Sequence, residues 1–141
     1  MSNKNCNFVL KQRAAWIKRI TCAATRVSQS LCNHTEAVLQ KALVSELQTY
    51  PNIHLLTEVV KPIYYTNSKQ QKSIVGTVRL DVVLTTPTLT FVLELKLSAH
   101  SKRLTADQLA KYRAVLPTTA ILVLVVFSAK PELPAIVHVL A

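Results

Sequence analysis

Apolar residues recur along this chain with two different periods, and each change of period marks a new element. Val9, Trp16, Ile20, Ala23 and Val27 follow helical spacing and predict a long helix over residues 7–31, with residues 1–5 frayed. Lys11, Arg13, Lys18, Arg19 and Arg26 occupy its other positions. A helix of this kind suits two uses, riding along a phosphate backbone or presenting a solvated amphipathic face. Trp16 reads as core rather than as a base-stacking platform. Leu39, Leu43 and Leu47 form the inner stripe of a second helix over residues 36–49, capped by Asn33 or Thr35 and followed by Pro51. Glu36 lies on that same inner face, where a carboxylate needs a capping donor, an arginine or a metal.

Further along, the period drops to two. Residues 53–60 read as a first strand, continued by 62–65 towards a polar turn at 66–72. Val78, Leu80, Val82 and Leu84 alternate with Arg79, Asp81 and Val83, the period of a strand. Pro87 breaks the run, and residues 91–97 form another strand. A basic loop spans 98–103. Thr105 caps a helix over 106–115 that places Gln108 and Tyr112 on one face and ends before Pro117. The unbroken run from Ala120 to Phe127 reads as a buried central strand, far too short to span a bilayer. Residues 134–140 add an edge strand. No repeat and no domain linker is visible, so one domain is expected over 1–141.

Composition narrows the function classes. The chain has 141 residues, half of them hydrophobic, which is enough for a real core and excludes a disordered chain. Lys and Arg outnumber Asp and Glu by 17 to 7, for a formal charge of +10. That excess points to a polyanionic partner, most often nucleic acid; simple solubility and attraction to an anionic membrane surface are the ordinary alternatives. Cys6, Cys22 and Cys32 form no C-x-x-C pair, and Cys32-Asn-His34 is too sparse for zinc. They read as free thiols in a reducing, intracellular compartment, cytoplasmic or nuclear. Lys4, Lys11 and Arg13 interrupt any signal-peptide core, and no membrane partner is expected.

The chemistry concentrates between Gly76, the one glycine, and Lys96. Glu94 and Lys96 share a face of their strand, roughly 6.6 Å apart along it. If this strand pairs with the preceding one, Asp81 lies beside Glu94. Two carboxylates with a backbone carbonyl such as that of Leu95 suit Mg²⁺ or Mn²⁺. Lys96 would orient a water or stabilise charge building on a phosphate. An isolated Glu-x-Lys is ordinarily an edge-strand salt bridge. Charges set inside Val/Leu runs are costly to bury without a task, which argues against that reading here.

In order, the elements are a helix with Glu36, a strand, a strand with Asp81, a strand with Glu94 and Lys96, a helix with Gln108 and Tyr112, and a strand. This order resembles the PD-(D/E)xK nuclease superfamily over about residues 33–128. Within it, the blocks Glu36–Leu43, Glu58–Tyr65, Gly76–Asp81 and Glu94–Lys96 are similar to GxxExxY-type proteins, and Gln108-Leu-Ala-Lys-Tyr112 is similar to the Q-x-x-x-Y motif of RecB-like nucleases. The chain departs from the pattern at Asn33, Leu39 and Thr105, where the family has Gly, Tyr and His.

The resemblance implies an α/β fold with a restriction-endonuclease-like αβββαβ core, a central mixed sheet flanked by helices. A basic N-terminal helix at 1–32 is additional, and 129–141 forms a C-terminal strand or tail. It implies a Mg²⁺- or Mn²⁺-dependent hydrolase cleaving DNA phosphodiesters with a metal-activated water. Asp81, Glu94 and the Leu95 carbonyl would be metal ligands and Lys96 the catalytic lysine. Glu36 would reach the metal through water, and Gln108 and Tyr112 would position the phosphate strand or the lysine. Arg79 would hold a phosphate, and Lys11, Arg13, Lys18, Lys69, Lys72, Lys102 and Arg103 would hold the backbone without reading sequence. A small homodimeric junction-resolving nuclease is one variant, with Ile136–Leu140 as a pairing edge; a larger protein partner is another. The alternative is a nuclease fold that binds nucleic acid or protein without turnover.

Overall fold

The computed structural model describes residues 3–31, 34–97 and 104–140. Among them the elements follow in the order α1 (Asn3–Ser30), α2 (Glu36–Leu47), β1 (His54–Thr66), β2 (Lys72–Thr85), β3 (Thr90–Leu97), α3 (Ala106–Val115), β4 (Ile121–Phe127) and β5 (Ile136–Val139). The strands form one mixed sheet in the order β1-β2-β3-β4-β5. Its neighbours are antiparallel except β3 and β4, which run parallel. Parallel neighbours need a crossover, and α3 supplies it. The result is an α/β fold, a mixed sheet flanked by helices, of the restriction-endonuclease-like kind.

Apolar period decides which helix covers which face. Trp16, Ile20, Ala23 and Val27 of α1 and Leu39, Leu43 and Leu47 of α2 pack on Phe91, Leu93 and Leu95 of β3 and on Ile121, Val123, Val125 and Phe127 of β4. The intervening Val92 and Leu122 point the other way, onto Tyr112 of α3. β4 is buried at every position, as its unbroken run requires. Arg19 stacks over Trp16 and Tyr50 at 4.7 and 4.9 Å, so Trp16 is core with a cation on its rim. No helix among the described residues is long and apolar enough to cross a membrane.

Element ends moved by a turn or less. α1 is helical from Asn3, so the frayed start expected over residues 1–5 is helix for at least its last three residues. α2 stops at Leu47, because the Thr49 hydroxyl and amide both turn back onto the Glu46 carbonyl, at 2.8 and 3.4 Å, ahead of Pro51. Thr35 caps α2, its side chain accepting from the Val38 amide.

The β1–β2 ribbon breaks the simple alternation. A regular strand would keep Val78, Leu80, Val82 and Leu84 on one face. Instead Val82 and Leu84 lie in the core under α1 and α2, whereas Val78 and Leu80 lie with Tyr112 under α3. The partner strand changes face at the same level, Leu55 packing with the first cluster and Val59 with the second. Pairing runs from Thr57↔Val82 to Val59↔Leu80 and skips Glu58 and Asp81. Glu58 has a φ of 55°, in the left-handed region that non-glycine residues rarely occupy. Such a residue turns the strand about its own axis, and the faces exchange there.

Candidate active site

Asp81 stands at that exchange, and this is what aims it. The β2–β3 ladder covers Val82↔Leu93 to Thr85↔Thr90. One residue further on, the Asp81 side chain takes over from the main chain, its Oδ2 accepting from the Leu95 amide at 2.9 Å. The carboxylate therefore lies against β3, with Glu94 beside it. Glu94 and Lys96 share the α3 face of β3 with Val92. Lys96 Nζ is 3.5 Å from Glu94 Oε1. The Tyr112 hydroxyl donates to Glu94 Oε2. Arg79 completes the ring, its terminal guanidinium nitrogen 3.9 Å from Asp81 Oδ1.

Burial dominates the electrostatics of the two carboxylates. Asp81 and Glu94 are only 4% and 8% exposed. Burial pushes the Glu94 carboxyl up to about 7; the Tyr112 hydrogen bond opposes this, the Asp81 charge reinforces it, and Lys96 offsets only part. Burial, and then the Glu94 carboxylate, push the Tyr112 phenol up, so it stays a hydrogen-bond donor. Two carboxylates buried side by side, one of them accepting from a tyrosine, keep oxygen lone pairs for a further cationic partner. A divalent cation fits such an oxygen pair. Among the described residues no three His, Cys, Asp or Glu side chains gather to hold a metal. Two carboxylates, with the other positions left to a backbone carbonyl, water and phosphate, match the habits of Mg²⁺ rather than those of a zinc cage.

A cleft of about 320 Å³ opens over this group, lined by Glu36, Thr77, Val78, Arg79, Asp81, Glu94, Lys96, Gln108, Lys111 and Tyr112. It brings together Glu36, Arg79, Asp81, Glu94, Lys96, Gln108 and Tyr112, which the sequence had singled out. Lys11, Arg13, Lys18, Lys69 and Lys72 do not line it. Thr88, in the β2–β3 turn, donates to Gln12 of α1 at 3.0 Å, so the Lys11–Arg13 end of that helix sits at the opposite end of β3 from Lys96. Lys102, Arg103 and Asn33 lie outside the described residues.

Two departures from the family pattern have local reasons. Thr105 caps α3 in a reciprocal box: its hydroxyl accepts from the Gln108 amide at 3.1 Å, and Gln108 Oε1 accepts from the Thr105 amide at 3.0 Å. The cap occupies the Gln108 carbonyl oxygen and leaves the side-chain NH₂ as a donor. Leu39, in place of a tyrosine, is 2% exposed in the core.

Two residues at the site fell inside family-like blocks but were given no role from sequence. Lys111 lines the cleft one turn after Gln108, a spacing that reading α3 for charge would have found. Glu58 bridges Arg79 Nε at 2.9 Å and Gln40 Nε2 at 3.0 Å, tying β2 to α2. Its signal was faint, the one acid in residues 53–65; a glutamate gives no sequence sign of a positive φ.

A family model described as the PD-(D/E)XK nuclease superfamily matches residues 14–135. No curated protein and no solved structure matches the chain.

Proposed function

The chain belongs to the PD-(D/E)XK nuclease superfamily, whose members are usually nucleases and generally depend on divalent metal, and from that premise we propose that it hydrolyses DNA phosphodiesters with Mg²⁺ or Mn²⁺. The observation that carries this reading is the buried Asp81–Glu94 pair with Lys96 at 3.5 Å, set in the floor of an open polar cleft. Asp81, Glu94 and the Leu95 carbonyl would hold the ion. Once bound, it supplies Lewis acidity towards a phosphate oxygen and a water acidic enough to attack near neutral pH.

The chain's own groups do the rest. Lys96 orients the attacking water and offsets charge on the phosphoryl oxygens as they become more negative. Tyr112, kept protonated, fixes the Glu94 carboxylate, and the Leu95 amide fixes Asp81. Arg79, held by Glu58, presents its guanidinium to a phosphate, and the Gln108 NH₂ and Lys111 are placed to take the flanking ones. Glu36 faces the same cleft from the start of α2 and would meet the metal through water. The GxxExxY-like blocks at Glu36, Glu58, Gly76–Asp81 and Glu94–Lys96 support that subtype within the superfamily.

The test is a calorimetric titration of Mn²⁺ and Mg²⁺ into wild-type protein and the Asp81→Ala/Glu94→Ala variant, followed by assays on labelled duplex, single-stranded and branched DNA. Saturable metal binding lost in the variant, with metal-dependent cleavage, supports the nuclease. A folded wild type that binds no metal overturns it and leaves a basic binding module.

A further inference from the structure

The β1–β2 ribbon is longer than the sheet it belongs to. Continuing the Val82↔Leu93 register by four residues brings Leu97, the last residue of β3, level with Val78. Among the described residues, 72–77 of β2 and their partners Pro62–Thr66 of β1 therefore run on past β3, on the side of the active-site cleft. Six residues of antiparallel strand span about 20 Å. Two strands alone are marginal in water, so an arm of this kind needs a reason to expose apolar surface.

This arm exposes a great deal of it. Tyr64, Tyr65, Ile74 and Val75 are 57%, 59%, 62% and 64% exposed, and Tyr64 and Ile74 are cross-strand partners. Tyr64 and Ile74 share one face of the ribbon and Tyr65 stands on the other, so both faces carry apolar surface that suits a contact. The arm's charge says what it contacts. From Val59 to Leu80 there are four basic residues and no acidic one, and Lys69 and Lys72 flank the apex of the turn. At its root stand Arg79 and Asp81, so the arm is continuous with the cleft.

We infer that the β1–β2 arm is a duplex-tracking ribbon: it lies in the major groove of double-stranded DNA while the scissile phosphate sits over Asp81 and Glu94. The inference rests on the nuclease reading and adds the substrate class, duplex over single strand. A two-stranded ribbon fits a groove about 12 Å wide. Asp81 to Lys72 is nine residues, about 30 Å of strand. At about 3.4 Å of axial rise per base pair, and with the groove running obliquely to the axis, Lys69 and Lys72 meet phosphates at most about eight or nine base pairs from the cut. Tyr64 and Ile74, on the face turned to the bases, fill the groove in between as apolar contacts to base edges, and Tyr65 on the other face lies towards the groove wall.

The experiment is fluorescence anisotropy in EDTA, where no cleavage occurs. The probes are a 30-base-pair duplex, the same sequence as a single strand, and duplexes shortened to about five base pairs on one side of the preferred cut. Proteins compared are the wild type, Lys69→Ala/Lys72→Ala and Tyr64→Ser/Tyr65→Ser, each checked for an unchanged circular dichroism spectrum and Mg²⁺ affinity. The wild type is expected to prefer the long duplex at least tenfold over the single strand. The lysine variant should lower the slope of log affinity against log salt by about two for the long duplex and leave it unchanged for the shortened one. The tyrosine variant should lose affinity several-fold at an unchanged slope.

Equal losses on duplex and single strand overturn the inference. So does unaltered duplex binding in both variants, including the case where they lose self-association in the ultracentrifuge, which would make the arm a protein contact. A wild type that cleaves DNA while the arm variants bind duplex normally removes the arm and leaves the nuclease. A wild type that binds duplex through the arm but never binds metal removes the nuclease and leaves the arm.

Discussion

β4 and the Glu58–Asp81 crossing of the β1–β2 ribbon are made of similar aliphatic sequence and do opposite things. β4 is seven residues of unbroken ladder, buried throughout, with no charge and no irregularity. The crossing has a left-handed glutamate, a gap in the pairing and a carboxylate standing where the next strand's ladder would be. Where the backbone follows its period it accumulates burial and stability. Where it breaks the period it frees a side chain to lie in the plane of the sheet, which a regular strand forbids. The strain at Glu58 is held by its bonds to Arg79 and Gln40, and it is found beside the two acids proposed to carry the chemistry.

Substitutions can widen or close that contrast. The largest effect is expected at the crossing. Lys96→Ala should lower kcat on DNA by roughly 10²–10³-fold, and Asp81→Ala by at least as much, with urea midpoints close to wild type. A collapse of the midpoint in step with activity would mean that the site is structural. In β4 the order reverses. Phe127→Ala, at a side chain 1% exposed, should cost about 3–5 kcal/mol of stability, while the molecules still folded keep wild-type kcat. A selective loss of kcat there would break the division.

The acid pair allows a pH experiment on metal-free protein. The folded Glu94 carboxyl titrates near 7 and its unfolded value is 4.5, so the folded state holds the proton more tightly. Its stability contribution is therefore complete below pH 4.5 and is lost as pH rises to 7, by roughly 2–3 kcal/mol. Denaturation in EDTA across that window should show the decline, Glu94→Gln should flatten it, and added Mg²⁺ should restore stability at the neutral end. A wild-type profile as flat as that of Glu94→Gln would show that Glu94 is charged throughout the window.

The smallest effect is expected at Glu58. With φ at 55°, Glu58→Gly relieves backbone strain that Glu58→Ala retains, and both lose the same two side-chain bonds. The glycine variant should be the more stable by about 1 kcal/mol. Equal stabilities would remove the strain argument. Both should raise KM more than they lower kcat, because Arg79 loses its anchor.

Much of this could be read from the chain itself. The helical stripe Leu39–Leu43–Leu47, the seven-residue run of β4 and the Thr105–Gln108 cap are local patterns. Local pattern depends only on which residues lie two, three or four apart, so it specified the elements and their order. It also placed Glu94 and Lys96 on one face, since strand geometry alone requires it. The mate for Glu94 was another matter. Asp81 is thirteen positions away, and its carboxylate faces Glu94 only because the ribbon exchanges faces between Leu80 and Val82. That exchange depends on the conformation of Glu58 in a different strand, which propensity does not report. Tyr112, read from sequence as a group that would handle phosphate or lysine, became the clamp on Glu94 once α3 packed over Val78 and Leu80. The reach of the β1–β2 arm past β3 likewise follows from where β3 ends. Spacing along one chain determines periodic structure; which atoms meet across strands is decided by packing, because burial energy sums over the whole core and not over a window of sequence.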